Sequence, residues 1–162
     1  MTADDDRDRM LRVQHALQDL GFEARMLIHD ESTHTAVEAA HAAGCKLGQI
    51  VKTLVVEVGG SPMLVLVSGD RKLDDRLLAA RLGVGRKQVK LANAERVLEL
   101  TGYPVGGVSP FGMPAPLPVL VDESFNRFDE LWLAGGTASA IFPMPLPDAL
   151  RLTNGQLAEV ST

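Results

Sequence analysis

Residues 51–67 read VKTLVVEVGGSPMLVLV, two aliphatic runs on either side of four turn-forming residues. The runs, Val51–Val58 and Met63–Val67, are rich in β-branched residues and too short for buried helices. Gly59-Gly60-Ser61-Pro62 between them predicts a hairpin turn. Because neither run alternates with polar residues, each strand should be covered on both faces. The segment therefore predicts two adjacent antiparallel strands at the centre of a mixed sheet.

Helical spacing of apolar residues flanks this hairpin, and four such segments end at a glycine, a frequent helix terminator. They are residues 5–20 before Gly21, the segment from a Thr33 cap to Ala43 before Gly44, residues 73–82 before Gly83, and residues 92–100 before Gly102. A last helical turn is predicted at residues 147–152, and short strands at residues 22–28, 119–121, 130–133, 140–142 and 157–160. Helices and strands mix without a strict βαβ rhythm, which indicates an α+β fold with a mixed central sheet.

Length and composition limit the classes of protein that this chain can represent. With 162 residues, 46% of them apolar, the chain is expected to form one domain over residues 1–162. Its acidic first residues lack the pattern of a secretory signal, and no stretch reaches the ~20 apolar residues of a membrane helix. The single Cys45 cannot form an internal disulfide. We therefore expect a cytoplasmic protein with no membrane partner.

The charge is distributed unevenly along the chain. The net charge of −5 argues against binding along a long nucleic acid, yet residues 71–90 carry +5 and the rest −10. A confined basic face could hold one end of a tRNA. The candidate contacts are Arg76, Arg81, Arg86 and Lys87. An ordinary solvated helix face explains the same charges, and the sequence leaves both interpretations open.

Familiar metal, cofactor and nucleophile signatures are missing from the sequence. His15, His29, His34 and His41 do not form an HExxH motif, and one cysteine cannot build a thiolate site, so no metal is expected. The histidines are interpreted as surface residues. The sequence also lacks a GxSxG elbow and a complete dinucleotide fingerprint. No cofactor is therefore expected.

Two features remain that a reaction could use. Lys52 places a cation at the head of an apolar strand, where it could hold an anion or a carbonyl group, although a lysine reaching from the strand end into solvent explains the same pattern. Gly106 and Gly107 allow backbone N–H groups to approach a ligand closely and to stabilise a developing oxyanion. Gly135-Gly136 is a second place where a backbone could approach a ligand, and a tight turn accounts for it equally well.

The order of these features along the chain resembles the YbaK/EbsC family of aminoacyl-tRNA deacylases and the editing domains associated with prolyl-tRNA synthetases. The strings that carry the resemblance are Lys52-Thr53-Leu54, TGYPVGGVSPFG at residues 101–112, LPVLVD at residues 117–122, and Gly135-Gly136. The middle string is the most specific, because a long loop with this pattern of glycines and prolines is unlikely to recur by chance. The resemblance covers approximately residues 22–160.

The resemblance implies a mixed sheet curved into a partial barrel and surrounded by helices. It also implies that Lys52 lies beside the ester and the terminal adenosine of the substrate, and that the loop from Gly106 to Pro110 lines the aminoacyl pocket. No metal or organic cofactor is implied. The expected substrate-binding residues are Thr53, Val108, Ser109, Pro110, Gly135, Gly136 and Ser139.

The chain departs from the family pattern at two places near the expected pocket. Leu27 and Ile28 precede His29-Asp30, where some YbaK-branch members carry a tyrosine. Ser139 stands where related domains often have a histidine or an asparagine. Both differences leave the identity of the removed amino acid open.

The sequence therefore predicts hydrolysis of the aminoacyl ester of a mischarged tRNA, such as tRNA-Pro, with water as the nucleophile. Lys52 is expected to polarise the ester, and the amides of Gly106 and Gly107 are expected to stabilise the oxyanion. The expected partner is the 3′ acceptor end of an aminoacyl-tRNA, with a synthetase as a further candidate. The alternative is a non-catalytic module that binds an aminoacyl-tRNA end or a synthetase.

Overall fold

The computed structural model describes residues 3–29 and 35–162. The α-helices in this part of the chain are α1 (Ala3–Asp19), α2 (Ala36–Ala43), α3 (Asp75–Leu82), α4 (Ala94–Thr101) and α5 (Leu146–Thr153). The strands are β1 (Leu27–Ile28), β2 (Val51–Val58), β3 (Ser61–Ser68), β4 (Val89–Leu91), β5 (Val119–Asp122), β6 (Glu130–Ala134), β7 (Ala140–Pro145) and β8 (Gln156–Ala158). Short 3-10 helices occupy Leu47–Gln49, Arg86–Gln88 and Glu123–Arg127.

Helices α2, α3 and α4 begin where a short polar side chain satisfies free backbone N–H groups. The Asp74 carboxylate accepts hydrogen bonds from two N–H groups of α3, and the Asn93 side chain accepts one from α4. Thr35 caps α2 in the same way. The predicted cap Thr33 lies outside the described residues. Gly44, Gly83 and Gly102 end their helices in the left-handed conformation, as the sequence predicted.

The strands form two sheets. The larger has the order β4-β2-β3-β5-β8, in which β2 and β3 are antiparallel and β5 lies parallel to β3. The smaller is antiparallel, with the order β1-β7-β6. An isolated bridge between Ile50 and Trp132 connects them. The α+β class and the central antiparallel pair are confirmed, whereas the partial barrel is not, because the described strands form two sheets and neither closes.

Apolar side chains cover both faces of the β2–β3 hairpin. Val51 and Leu64 belong to the main core, which lies between the two sheets and includes Phe142 of the smaller one. On the opposite face, Val65 packs in a second cluster with Leu78 of α3. This arrangement explains why neither strand alternates apolar and polar residues.

The structure differs from the sequence predictions at several local positions. The hairpin turn contains only Gly59 and Gly60, both with positive φ, and Pro62 lies inside β3. Strand β4 was not predicted, because its three residues include one lysine and carry little pattern. Strand β1 has only two residues instead of the predicted seven. None of the described helices is both long and apolar enough to span a membrane.

Candidate active site

A cavity of about 270 Å³ lies between the first half of β2, the start of α2 and one end of the smaller sheet. Polar side chains line it at His29, Thr35, Lys52 and Thr53. The other lining residues are apolar or glycine: Ala36, Ala39, Ile50, Val51, Leu54, Val105, Gly106, Val108, Ala134, Ala138 and Ile141. Its volume lies near the lower end of the range for small-molecule sites. A small group with few polar atoms therefore suits this cavity.

The backbone of β2 is exposed along one wall of the cavity. Strand β4 pairs only with residues 56–58 of β2. The N–H of Ala92, just after β4, donates to the carbonyl of Val55 at 3.0 Å, so the backbone groups of Val55 point toward β4. Every second residue of a strand points its backbone groups to the same side, so the same holds for Thr53. Thr53 precedes the part that β4 covers. Its N–H and C=O therefore face the edge of β2 beside the cavity, at a position that β4 does not cover.

Lys52 and Thr53 lie on opposite faces of β2. Thr53 alternates with Val51 and Val55, which belong to the main core between the sheets. Lys52 shares its face with Leu54, which packs on the second cluster. The two adjacent candidate residues thus approach the cavity from different directions.

The ammonium group of Lys52 has a partner on the loop after β3. Its Nζ donates a hydrogen bond to the backbone carbonyl of Arg71. Burial lowers the pKa of Lys52, and the nearby carboxylate of Asp70 partly opposes this effect. An ammonium group has three N–H donors, so this bond leaves donors for a further ligand.

Asp70 is held beside Lys52 by a bidentate ion pair. Both of its carboxylate oxygens accept hydrogen bonds from Arg127, each at 2.9 Å. These bonds, together with one from Ser68, lower the pKa of Asp70 to about 2. The carboxylate is therefore ionised throughout the neutral range and adds a fixed negative charge near the Lys52 ammonium.

The loop between α4 and β5 provides a second wall of the cavity. Gly106 lines the cavity and has a φ of +89°, a conformation that favours glycine. Gly107 does not line it, and its N–H donates to the carbonyl of Pro104 at 2.9 Å. A Cβ atom at Gly107 would lie 2.7 Å from the backbone of Thr137. Gly106 is thus placed at the cavity, whereas Gly107 allows the loop to pack against the segment before β7.

Ser109 and Pro110 support the same loop from inside the fold and do not line the cavity. Both are buried, and the Ser109 hydroxyl accepts a hydrogen bond from the N–H of Phe111 at 3.1 Å. The hydroxyl of the buried Tyr103 donates to the carbonyl of Phe111 at 2.5 Å. Val108 is the other predicted residue of this loop that reaches the cavity.

Gly135, Gly136 and Ser139 lie just behind the cavity wall. The N–H of Gly135 donates to the carbonyl of Ala140 at 2.7 Å, which closes the turn between β6 and β7. Gly136 has a φ of +95°, and a Cβ atom there would lie 2.8 Å from the carbonyl oxygen of Arg9. These residues shape the turn whose Ala138 lines the cavity.

The interpretation of the histidines as surface residues is wrong for His29. Both ring nitrogens of His29 are buried, and neither has a hydrogen-bond partner among the described residues. The hydroxyl of Thr53 is in the same situation. His15 and His41 are exposed as expected, and His34 lies outside the described residues. Sequence reasoning missed His29 because its burial depends on contacts with distant segments.

The four candidate tRNA contacts are exposed on α3 and the 3-10 helix after it: Arg76, Arg81, Arg86 and Lys87. Helix α3 covers the outer face of the larger sheet. Gln88, which follows the group, hydrogen-bonds Gly59 at the far end of β2 from Thr53. At ~3.3 Å per strand residue, the Gln88 end of this group lies roughly 20 Å from Thr53, whereas Arg76 is only five residues after Arg71, whose carbonyl binds Lys52.

The described residues contain no group of three or more His, Cys, Asp or Glu side chains that could hold a metal ion. Burial raises the pKa of the Cys45 thiol, which disfavours the reactive thiolate.

Comparison with known proteins agrees with this geometry. The family model for the aminoacyl-tRNA editing domain matches residues 30–152, more than half of the chain. This chain belongs to the aminoacyl-tRNA editing domain family. The match confirms the predicted family and the predicted class of activity, deacylation of aminoacyl-tRNA.

Individual relatives of this editing domain include both separate proteins and parts of synthetases. The chain is 32% identical over 130 residues to the "Putative Cys-tRNA(Pro)/Cys-tRNA(Cys) deacylase EbsC" of Enterococcus faecalis. The aligned region covers 79% of this chain and 77% of that protein. It is 37% identical over 102 residues to the proline–tRNA ligase of Maridesulfovibrio salexigens. Here the aligned region covers 63% of this chain and 17% of the ligase.

A solved structure shows the same fold over almost the whole of this editing domain. It is described as a "putative trans-editing enzyme for prolyl tRNA synthetase" and has a TM-score of 0.89 and 39% identity, covering 95% of this chain and 97% of that one.

Proposed function

We propose that this editing domain hydrolyses the ester bond of a mischarged tRNA-Pro and acts in trans, as a protein separate from the synthetase. The observation that carries the proposal is the small apolar cavity beside the first half of β2, in a chain of the editing family. The names of the relatives, which mention Cys-tRNA(Pro) and prolyl-tRNA synthetase, support tRNA-Pro as the substrate class. Residues 1–162 would form one editing domain, located in the cytoplasm where tRNA is charged.

The size and lining of the cavity support a small aminoacyl group. Ala36, Ala39 and Ala138 contribute short side chains to its walls. The aminoacyl group would enter this space while the terminal ribose stays at the mouth, near the exposed Gly106. Thr53 and Val108 would contact the aminoacyl group directly. Ser109, Pro110, Gly135, Gly136 and Ser139 would act on it through the shape of the wall.

The backbone amide of Gly106 is the better placed of the two predicted oxyanion donors. The N–H of Gly107 already donates to the carbonyl of Pro104. Breaking this hydrogen bond would cost about as much free energy as a new hydrogen bond from Gly107 to the oxyanion would contribute. The N–H of Thr53, which lies on the edge of β2 that β4 leaves uncovered, would be a further fixed donor on the opposite wall. Backbone donors that are held in place stabilise the growing negative charge without reorganisation.

Lys52 would supply the positive charge of the site. Its remaining N–H donors would act on the ester oxygens or on the terminal phosphate of the tRNA, while the Arg71 carbonyl holds the ammonium in position. Asp70 would keep the ammonium protonated despite its burial.

The basic group on α3 would contact the acceptor stem. Arg76 and Lys87 are exposed and form no ion pair with another described residue, whereas Arg86 pairs with Asp75 at 3.0 Å and Arg81 bonds Gln156. A synthetase partner would add affinity for the tRNA body, in keeping with the resemblance to part of proline–tRNA ligase.

The test is a panel of tRNA-Pro charged with alanine, cysteine, serine or proline, and of the cognate aminoacyl-tRNAs, incubated with catalytic amounts of purified protein. We expect multiple-turnover release of one small amino acid from tRNA-Pro and little release from Pro-tRNA-Pro. Protection of the ester without turnover would instead support the non-catalytic binding module. Release from the cognate tRNAs at equal rates would contradict the tRNA-Pro assignment.

A further inference from the structure

A carboxylate lies close to Lys52 without pairing with it. Burial lowers the pKa of Lys52, the charge of Asp70 raises it, and the charge of Lys72 lowers it. Among the described residues, His29 is the other titratable side chain that lines the cavity. Within the part of the chain that the structure describes, Asp70 forms its ion pair with Arg127, and none joins it to Lys52. Because opposite charges attract strongly in a partly buried site, this arrangement requires a competing partner for Asp70.

Arg127 is that partner, and it is itself held in place. Its guanidinium donates to the two carboxylate oxygens of Asp70 at 2.9 Å each, and one of the donating nitrogens also lies 3.0 Å from the hydroxyl of Ser68. Its Nε donates to the carbonyl of Ser124 at 2.7 Å, and the guanidinium carbon lies 4.8 Å from the centre of the Phe128 ring. A planar guanidinium that binds both oxygens fixes the orientation of the carboxylate as well as its position.

The turn that carries Asp70 also holds the Lys52 ammonium. The N–H of Arg71 donates to the carbonyl of Ser68 at 3.0 Å, which closes the turn, and the carbonyl of Arg71 accepts the hydrogen bond from Lys52. The guanidinium of Arg71 itself binds Ser161. Because Asp70 directly precedes Arg71, rotation about its side-chain bonds would bring a released carboxylate within reach of the ammonium.

An ion pair between Asp70 and Lys52 would compete with the substrate. It would occupy the N–H donors that the Arg71 carbonyl leaves available, and it would offset the positive charge that acts on the ester oxygens. Arg127 is not among the described residues that line the cavity, so its effect on the reaction would pass through Asp70.

We propose that Arg127 is a positioning residue of the deacylation, an inference that rests on the proposed function. By binding both oxygens of Asp70, Arg127 keeps the carboxylate apart from Lys52 and leaves the ammonium available to the ester end of the substrate. Asp70 then supports the charge of Lys52 without taking its N–H donors. The rate lost on removal of Arg127 must therefore come from the carboxylate that it releases.

The experiment is a double-mutant cycle of single-turnover deacylation with Arg127→Gln, Asp70→Asn and the double variant. Both single variants break the same ion pair, but only Arg127→Gln releases a carboxylate. We expect Arg127→Gln to lose roughly tenfold in rate at neutral pH, within the range for coupled neighbours, and the double variant to regain the rate of Asp70→Asn. Arg151→Gln, which breaks the exposed pair with Asp148 on α5, is the matched control and should retain the wild-type rate.

The pH profile of the rate gives a second readout. In Arg127→Gln the alkaline fall of the rate should move to a higher pH than in wild type, because an ammonium in an ion pair holds its proton more tightly. The double variant should lack this shift, since it has no carboxylate at residue 70. A turn that is merely loosened by the loss of Arg127 would affect Arg127→Gln and the double variant alike.

Each outcome separates this inference from the proposed function. An active wild type with an Arg127→Gln loss below about twofold, under the usual range of coupling between residues in contact, would overturn the role of Arg127 and leave the deacylase intact. A slow Arg127→Gln variant whose rate is not raised by adding Asp70→Asn would show that Arg127 is structural, and would also overturn the inference. A wild type that is inactive on every aminoacyl-tRNA would overturn the proposed function itself, and this inference with it.

Discussion

The ammonium of Lys52 donates a hydrogen bond to the carbonyl of Arg71, on the face of β2 opposite to the side chain of Thr53. The candidate cation is thus held by the loop after β3, and the cavity wall itself is built from the backbone of β2. In the proposed reaction, the contribution of Lys52 would depend on where the loop holds the charge as well as on the charge itself.

Replacing Lys52 with alanine should remove most of the deacylation rate and preserve the fold. A charge that acts on the growing oxyanion is worth about 10²–10³ in rate. Lys52→Arg should rescue poorly, because a planar guanidinium does not reproduce the compact ammonium. Single-turnover rates and thermal melting are measured together, and wild-type turnover by the alanine variant would exclude Lys52 from the reaction.

The pH dependence of the Lys52 contribution follows from its lowered pKa. Lys52 loses its proton at a lower pH than an ordinary lysine. The wild-type deacylation rate should therefore begin to fall at a lower alkaline pH than the pKa of an ordinary lysine would give. Lys52→Ala should lack this alkaline fall after correction for spontaneous ester hydrolysis. An identical alkaline profile in both proteins would assign the fall to another group.

Replacing Gly107 with alanine should destabilise the protein through a backbone clash. The new Cβ atom would lie 2.7 Å from Thr137, and such overpacking costs ~1–3 kcal/mol. Gly85→Ala is the matched control, because no atom lies within 4 Å of its Cβ position and its φ is not positive. Urea unfolding measures the difference, and equal stability of the two variants would contradict the close packing of the loop.

Reversing the charge at Arg76 and Lys87 should weaken tRNA binding and reduce its salt dependence. Each lost phosphate contact lowers the slope of log K against log salt by ~0.9. The control is the double reversal of Arg7 and Arg25, which are exposed on α1 and the segment after it. Equal effects of the two double variants would indicate a general charge effect, with no tRNA contact on α3.

Replacing Asp70 with asparagine should lower stability at neutral pH by about 1 kcal/mol, the upper end for a partly exposed ion pair. Because the Arg127 hydrogen bonds lower the pKa of Asp70 to about 2, its contribution is complete above pH 4 and disappears as the pH falls toward 2. The variant should therefore lose less stability than wild type over this interval. Asp148→Asn, which removes the exposed pair with Arg151, should change stability by less than ~0.5 kcal/mol.

Features encoded over short distances were predictable from the sequence. The hairpin of residues 51–67, the helices that end at Gly44, Gly83 and Gly102, and the mixed topology all follow from spacing and turn residues. The family could be recognised because its most specific string lies within one loop, residues 101–112. The position of Gly106 at the cavity was predicted for the same reason.

Other features are decided only by contacts between segments that are distant in the sequence. Thr53 borders the cavity and has no pairing with β4, because β4 pairs only with residues 56–58 of β2. The ring nitrogens of His29 are buried because β1 pairs with β7, more than 100 residues later in the chain. The sequence by itself determined the local elements and the family, since these depend on spacing along the chain. Which side chains face the cavity depends on how the two sheets pack, and only the tertiary structure decided this.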